Sequence, residues 1–443
     1  MVLNLFVFLR KQPYYFMEEL KNYTFPSNNE EVKIVDGYIK IPQGVIFIAE
    51  NAFYGRYDLE NVDLGMCIEE IKGNAFAFCR NLKSFSIPFC LRSICASAFE
   101  GCSSISSLDF DSFLQFVCQS AFSDCSNLKS VDLPPVCYIG DRAFKNCSSL
   151  QYFFFPVNGS TFLYGKYILQ GCSSLKFAKF LDGVKAVPCG TFMDCVSLTK
   201  VSLPDSIESV DSQAFMNCSS LPFIDLPNAV SRIGFEAFSS CKNLVSIDIP
   251  EKVRTIERET FSHCVALESV KLPPALQAID DSAFAFCSAL RDLEIPKGVN
   301  TIGEKAFSNC KALKNIVIPD WVTSIEDYTF AECSSLESIV IPESVTRIGD
   351  YAFWGCSSLK TLVLPSNLKC IGDHAFDNCN SLQIVLSKIQ IPNSLEQRNS
   401  IFSDYTLKSA TLLVPPGKRG YYKSSFIFPV FSNIEIGESL DDF

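Results

Sequence analysis

Leu336-Glu-Ser-Ile-Val-Ile-Pro342, Val345-Thr-Arg-Ile-Gly349 and Ala352-Phe-Trp-Gly-Cys356 are three short segments in succession, and together they make one period of a pattern that recurs along most of the chain. The period is clearest at its aromatic position. Phe284, Phe307, Phe330, Phe353 and Phe376 are 23 residues apart, and Cys287, Cys310, Cys333, Cys356 and Cys379 each follow by three. A period of this length means stacked supersecondary units, each too small to bury its own apolar face. The expected fold is therefore an α/β repeat solenoid with a parallel sheet.

Within a unit, the alternation of Ile316, Val317 and Ile318 has the period of two that sends both isoleucines to one face of a strand. Pro319 then ends the strand, because it has no N–H for a ladder. A second apolar pair, such as Val345 and Ile348, marks a short extended piece, and the glycine after it reads as a turn residue tolerant of positive φ. Asp350 would start a short helical turn whose Ala352 and Phe353 pack inward.

These three segments resemble the BspA-like, or Treponema-type, leucine-rich repeat proteins, whose coils carry an L-x-x-I-x-I-P strand, a V-T-x-I-G piece and an A-F-x-x-C turn. The resemblance runs from about Ile39 to Cys379, and the tail from Leu412 to Ile436 is similar to the closing segment of that family. It implies a solenoid that is cell-surface or secreted and works in adhesion or protein contact. No clear signal peptide is visible, which keeps a cytoplasmic location open.

Three regions are expected: an N-terminal cap over residues 1–37, the repeat solenoid over 38–386, and an irregular last coil with a C-terminal cap over 387–443. The apolar segment Met1–Leu9 is too short to span a membrane and reads as part of the first cap. Between Phe144 and Leu169 the spacing stretches to 25, and Val157-Asn-Gly-Ser-Thr161 is expected to bulge as a loop.

The chain holds 21 cysteines and two histidines. Fourteen of the cysteines, from Cys79 to Cys379, fill the repeat slot and read as small buried residues. No paired C-x-x-C clusters argue for zinc, and no cofactor is expected. Cys67 with Cys90, and Cys95 with Cys118, share coil positions on neighbouring rungs, so each pair could bridge in an oxidising compartment. His263 and His374 fall inside repeats and form no nucleophile pair with a cysteine, so no enzyme is expected.

The formal net charge of −11 argues against a nucleic-acid partner. No stretch approaches 18 uncharged apolar residues, so no membrane span is expected either. Inward residues of the strands are dictated by the core; specificity must be written in the outward ones. There an acidic first third gives way to an aromatic group, Tyr152, Phe154, Phe177 and Phe223, and then to an aliphatic strip, Val317, Val340 and Val363. These seven are the candidate contacts for a protein ligand, on a chain expected to be monomeric. The competing class is an intracellular scaffold with reduced thiols.

Overall fold

The computed structural model describes residues 34–110, 113–156, 164–392, 400–425, 428 and 431–437. The chain divides into two compact units, Met1–Ile207 with Gln213–Ser220, and Glu208–Ser212 with Leu221–Phe443. Each is a parallel β-solenoid. The segment Met1–Leu9, nearly all of the expected N-terminal cap, and the stretch Val157–Thr161 lie outside the described residues.

In the first unit, Tyr38–Lys40, Asn61–Asp63 and Ser84–Phe85 pair in parallel, as do Tyr152–Phe155, Phe177–Phe180 and Lys200–Ser202. Along these strands buried residues alternate with open ones, as Ile39 does with Tyr38 and Lys40, which is the alternation the sequence carries. In the second unit the ladder thins in places. Phe223 and Val317 lie outside any strand, and only single bridges join Ser269 to Asp292 and Asp292 to Asn315. Around Phe223 the cause is Pro222, which has no N–H to donate. Alternation survives without the full ladder: Ile316 and Ile318 are buried while Val317 is open.

The second extended piece is itself a sheet. Phe47–Ile48, Glu70–Ile71, Ser93–Ile94, Phe116–Val117 and Tyr138–Ile139 stack as five parallel two-residue strands.

The segment around the repeat phenylalanine is not the short helical turn expected of it. In a helix every interior N–H bonds within the helix. Here they alternate: Trp354 and Cys356 donate to Tyr351 and Phe353, three residues back, whereas Tyr351, Phe353 and Gly355 donate to Asp373, Ala375 and Asp377 of the next coil. The alternation requires left-handed residues two before and two after the phenylalanine. Tyr351 and Gly355 hold φ of 56° and 74°, Lys305 and Asn309 hold 58° and 61°. Each side chain in that region costs about 1–2 kcal/mol, and the inter-coil bonds offset it.

Glycine has a different role before this segment. Gly349 does not have positive φ; a Cβ on it would meet Asp327 N at 2.6 Å and Glu326 C at 2.7 Å. The coils touch there, and only hydrogen fits. Asp327 Oδ1 accepts from the Asp350 N–H at 2.9 Å, and Asp350 Oδ1 from Asp373 N at 2.8 Å. The aspartate is thus a clasp to the following coil rather than a helix cap.

The phenylalanine rings stack along each unit. Phe53 and Phe76 stack 4.9 Å apart with nearly parallel planes; Phe261, Phe284 and Phe307 follow at 5.4 and 5.6 Å. Where Leu169 replaces the ring, Phe153, Phe155 and Phe180 enter from the strands, with Phe155 on Phe180 at 4.0 Å. They fill the volume the leucine leaves.

Beyond Ser387 the sheet runs on. Thr411–Val414 pairs in parallel with Ile384–Ser387, and Asn433–Ile436 pairs with Thr411–Val414. Phe402 stacks on Phe376 at 5.4 Å although 26 residues separate them. The connection from Ile384–Ser387 to Thr411–Val414 includes the helix Asp404–Ser409, capped by Ser403, and the helix Arg419–Lys423 follows Thr411–Val414.

Candidate protein-binding face

Strand pairing brings the first-unit aromatics together. Tyr152 is in register with Phe177, and Phe154 with Lys179. Tyr152 and Phe154 remain 50% and 52% exposed, and the Phe154 ring meets Phe177 edge-on at 6.0 Å. Phe177 itself is half-buried. Tyr152 and Phe154 wall one side of a groove of about 490 Å³, whose floor and other side come from Ser107, Leu108, Asp109, Ser130, Val131 and Asp132.

In the second unit, Phe223 is exposed. Val317 is 76% exposed and Val340 69%, while Val363, in register with Val340, is half-buried. Val317 lines a groove of about 550 Å³ with Trp321, which is 71% exposed. Trp321 is absent from the contacts expected on sequence. Its signal was a large aromatic in the turn slot just before the inward Val322, where other coils carry Ser206, Lys252 or Asn367.

Another apolar ridge follows the strand ends of the first unit, where Met66, Phe89, Phe113 and Val136 are all exposed and Phe89 meets Phe113 at 5.1 Å. Sequence gave no sign of this ridge either, because strand alternation indicates the facing of strand residues and not of the turns after them.

The cysteines divide by burial. All 21 cysteines are unbridged in this structure, including Cys67, Cys90, Cys95 and Cys118, whose pairs could bridge in an oxidising compartment. Cys67 and Cys90 are exposed, Cys95 and Cys118 half-buried. Burial pushes the repeat-slot thiols of Cys264 and Cys333 up to about 12. Cys95 and Cys118 differ: a hydrogen bond from Cys95 holds the Cys118 thiol below its ordinary value, with Glu70 Oε1, 3.1 Å from Cys95 Sγ, as the alternative acceptor for the same proton.

His263 is exposed and stacked on Phe286 at 4.4 Å; His374 Nδ1 lies 2.6 Å from Asp377 Oδ2. Among the described residues no group of three or more His, Cys, Asp or Glu gathers as a metal site, and no helix is long and apolar enough to cross a membrane.

Stacked coils of about 23 residues, most of them with a short parallel strand and an inward phenylalanine and cysteine, define a leucine-rich repeat protein. The family model described as the BspA type leucine rich repeat region matches residues 46–176, 185–314 and 277–409, and the chain belongs to that family. Among solved structures it is similar to a leucine-rich repeat protein from Bacteroides ovatus, with 22% identity, a TM-score of 0.60, and 90% of this chain and 92% of that one covered. It also matches a leucine rich cell surface protein from Faecalibacterium prausnitzii, at 26% identity and a TM-score of 0.43 over 80% and 88% of the two chains. The pneumococcal vaccine antigen PcpA matches at 18% identity and a TM-score of 0.42 over 91% and 89%. No curated protein matches the chain in sequence.

Proposed function

We propose that the outward face of the strands is a protein-binding or adhesive surface, on a monomeric protein that is secreted or displayed at the cell surface and acts by binding without catalysis. The observation that carries this reading is the half-exposure of Tyr152 and Phe154, rigid aromatics in slots where the core makes no demand. Membership of the repeat family supports it, since such solenoids present extended faces to partners. Phe177 belongs to the same contact surface; Phe223, Val317, Val340, Val363 and Trp321 supply contacts in the second unit.

A pull-down with the wild type against the Tyr152→Ala, Phe154→Ala, Phe177→Ala triple variant tests the reading. Loss of a saturable partner with the triple variant is the expected result. An unchanged set of captured proteins would refute the first-unit face as the site. Location is tested separately by thiol titration of freshly isolated protein under denaturing, non-reducing conditions. Fewer than 21 reactive thiols favours export, and the full number favours the intracellular scaffold.

A further inference from the structure

Outward charges on neighbouring strands of this protein are balanced in several places. Lys40 is in register with Asp63, 3.8 Å away, and Asp248 is in register with Lys271. Asp109 and Asp132 break this habit. They face each other directly on adjacent parallel strands, both exposed, with Ser107 and Ser130 paired beside them. Neither carboxylate has an ion-pair or hydrogen-bond partner among the described residues. Like charges in that relationship destabilise a sheet, so the fold gains nothing from the pair.

Tyr152 and Phe154 line the same groove. An aromatic face attracts a cation, and two carboxylates beside it do so more strongly. An anionic ligand is repelled. A purely apolar one would strip water from two charges and return nothing. A hard divalent ion would need more oxygen ligands than this pair provides, since calcium takes six to eight.

Resting on the reading of the sheet face as a protein-binding surface, we propose that the groove between Asp109, Asp132, Tyr152 and Phe154 is the specificity pocket for a lysine or arginine side chain on a basic peptide segment of the partner. The carboxylates hold the charged end and the two rings flank it. Lys179, in register with Phe154 on the following strand, repels a second cation and closes the basic register on that side.

The experiment is a fluorescence-anisotropy titration of the full chain with a labelled short oligo-arginine peptide at physiological salt, with an oligo-citrulline peptide of equal length as the uncharged probe. Two charge-matched double variants are compared: Asp109→Asn with Asp132→Asn, and Asp225→Asn with Asp248→Asn. The expected result is binding of the arginine peptide alone, weakened about tenfold or more by the first pair and under about twofold by the second. Phe154→Ala should weaken it severalfold while leaving the fold intact. Because a repulsion is removed, the first double variant should also melt at or above the wild-type temperature, which shows that lost binding is not lost folding. Equal losses in the two double variants, or no arginine-selective binding, would overturn the proposal. Failure here is separable from failure of the sheet-face reading. If the aromatic triple variant loses a natural partner that the Asp109, Asp132 variant keeps, the face stands and the cation pocket falls.

Discussion

The thiol of Cys356 donates to the main-chain carbonyl oxygen of Phe330, 3.2 Å away on the preceding coil. Cys333 makes the same bond to Phe307, Cys310 to Phe284 and Cys102 to Phe76, at 3.2, 3.2 and 3.0 Å. Every one of these carbonyls is also the acceptor for the N–H three residues on, as Phe330 is for Cys333. The thiol therefore occupies the second lone pair of a buried oxygen, at a point where a small apolar group must also fill space. That explains why cysteine, and not alanine or valine, stands in this slot.

Replacing Cys356 by alanine should destabilise the second unit by about 1–2 kcal/mol, from the lost hydrogen bond and a small void. Cys356→Val restores the volume without the donor and should not recover wild-type stability. Urea denaturation of both variants checks this; a valine variant as stable as the wild type would assign the slot to volume alone.

Phe284 is fully buried between the rings of Phe261 and Phe307. Phe284→Ala should cost about 3–5 kcal/mol through the cavity it opens. Phe154→Ala, on the open face, should cost under about 0.5 kcal/mol. Thermal and denaturant melts of the pair separate core from surface, and comparable losses would contradict the placement of the two rings.

Two glycines of one coil should respond oppositely to asparagine. Gly355 sits at φ 74°, and the same slot holds Asn217 and Asn309 at 59° and 61°, so Gly355→Asn should be close to neutral. Gly349 lies against the backbone of Asp327 and Glu326, and Gly349→Asn should cost about 1–3 kcal/mol or more by forcing the coils apart. Circular dichroism melts read both.

Cys118 should react with iodoacetamide faster than any other thiol near neutral pH. Its ionisation falls from 9.0 to about 7, because the neighbouring Cys95 thiol hydrogen-bonds to its charged form. The thiolate is the nucleophile, so the rate should climb with pH and reach half its plateau near pH 7. Cys333, held up at about 12 by burial, should be labelled only after denaturation. Peptide mapping by mass spectrometry after a short pulse across pH 5–9 gives both profiles; in Cys95→Ala the Cys118 profile should move upward.

Much of the fold is legible in the chain because equivalent residues meet their own copies. Ile339, Phe353 and Cys356 point inward at positions that their period alone indicates, and the family follows from the same spacing. The outward slots of Tyr152, Phe154, Val317 and Val340 were also readable, since strand alternation leaves them no other side. Trp321 and the ridge of Met66, Phe89, Phe113 and Val136 were not. They lie in turns, where no two-residue or helical period says which way a side chain faces.

Local pattern determined that coils stack, which side chains they bury, and that neighbouring strands are parallel, because these follow from a repeat too small to fold alone. Only the tertiary structure decided that Tyr351 and Gly355 take left-handed backbone, that Gly349 is needed for close approach, that Asp350 clasps the next coil, and that Asp109 faces Asp132 unbalanced beside two open aromatics. Each of those depends on atoms one coil away, and a sequence read along the chain does not contain the distance between coils.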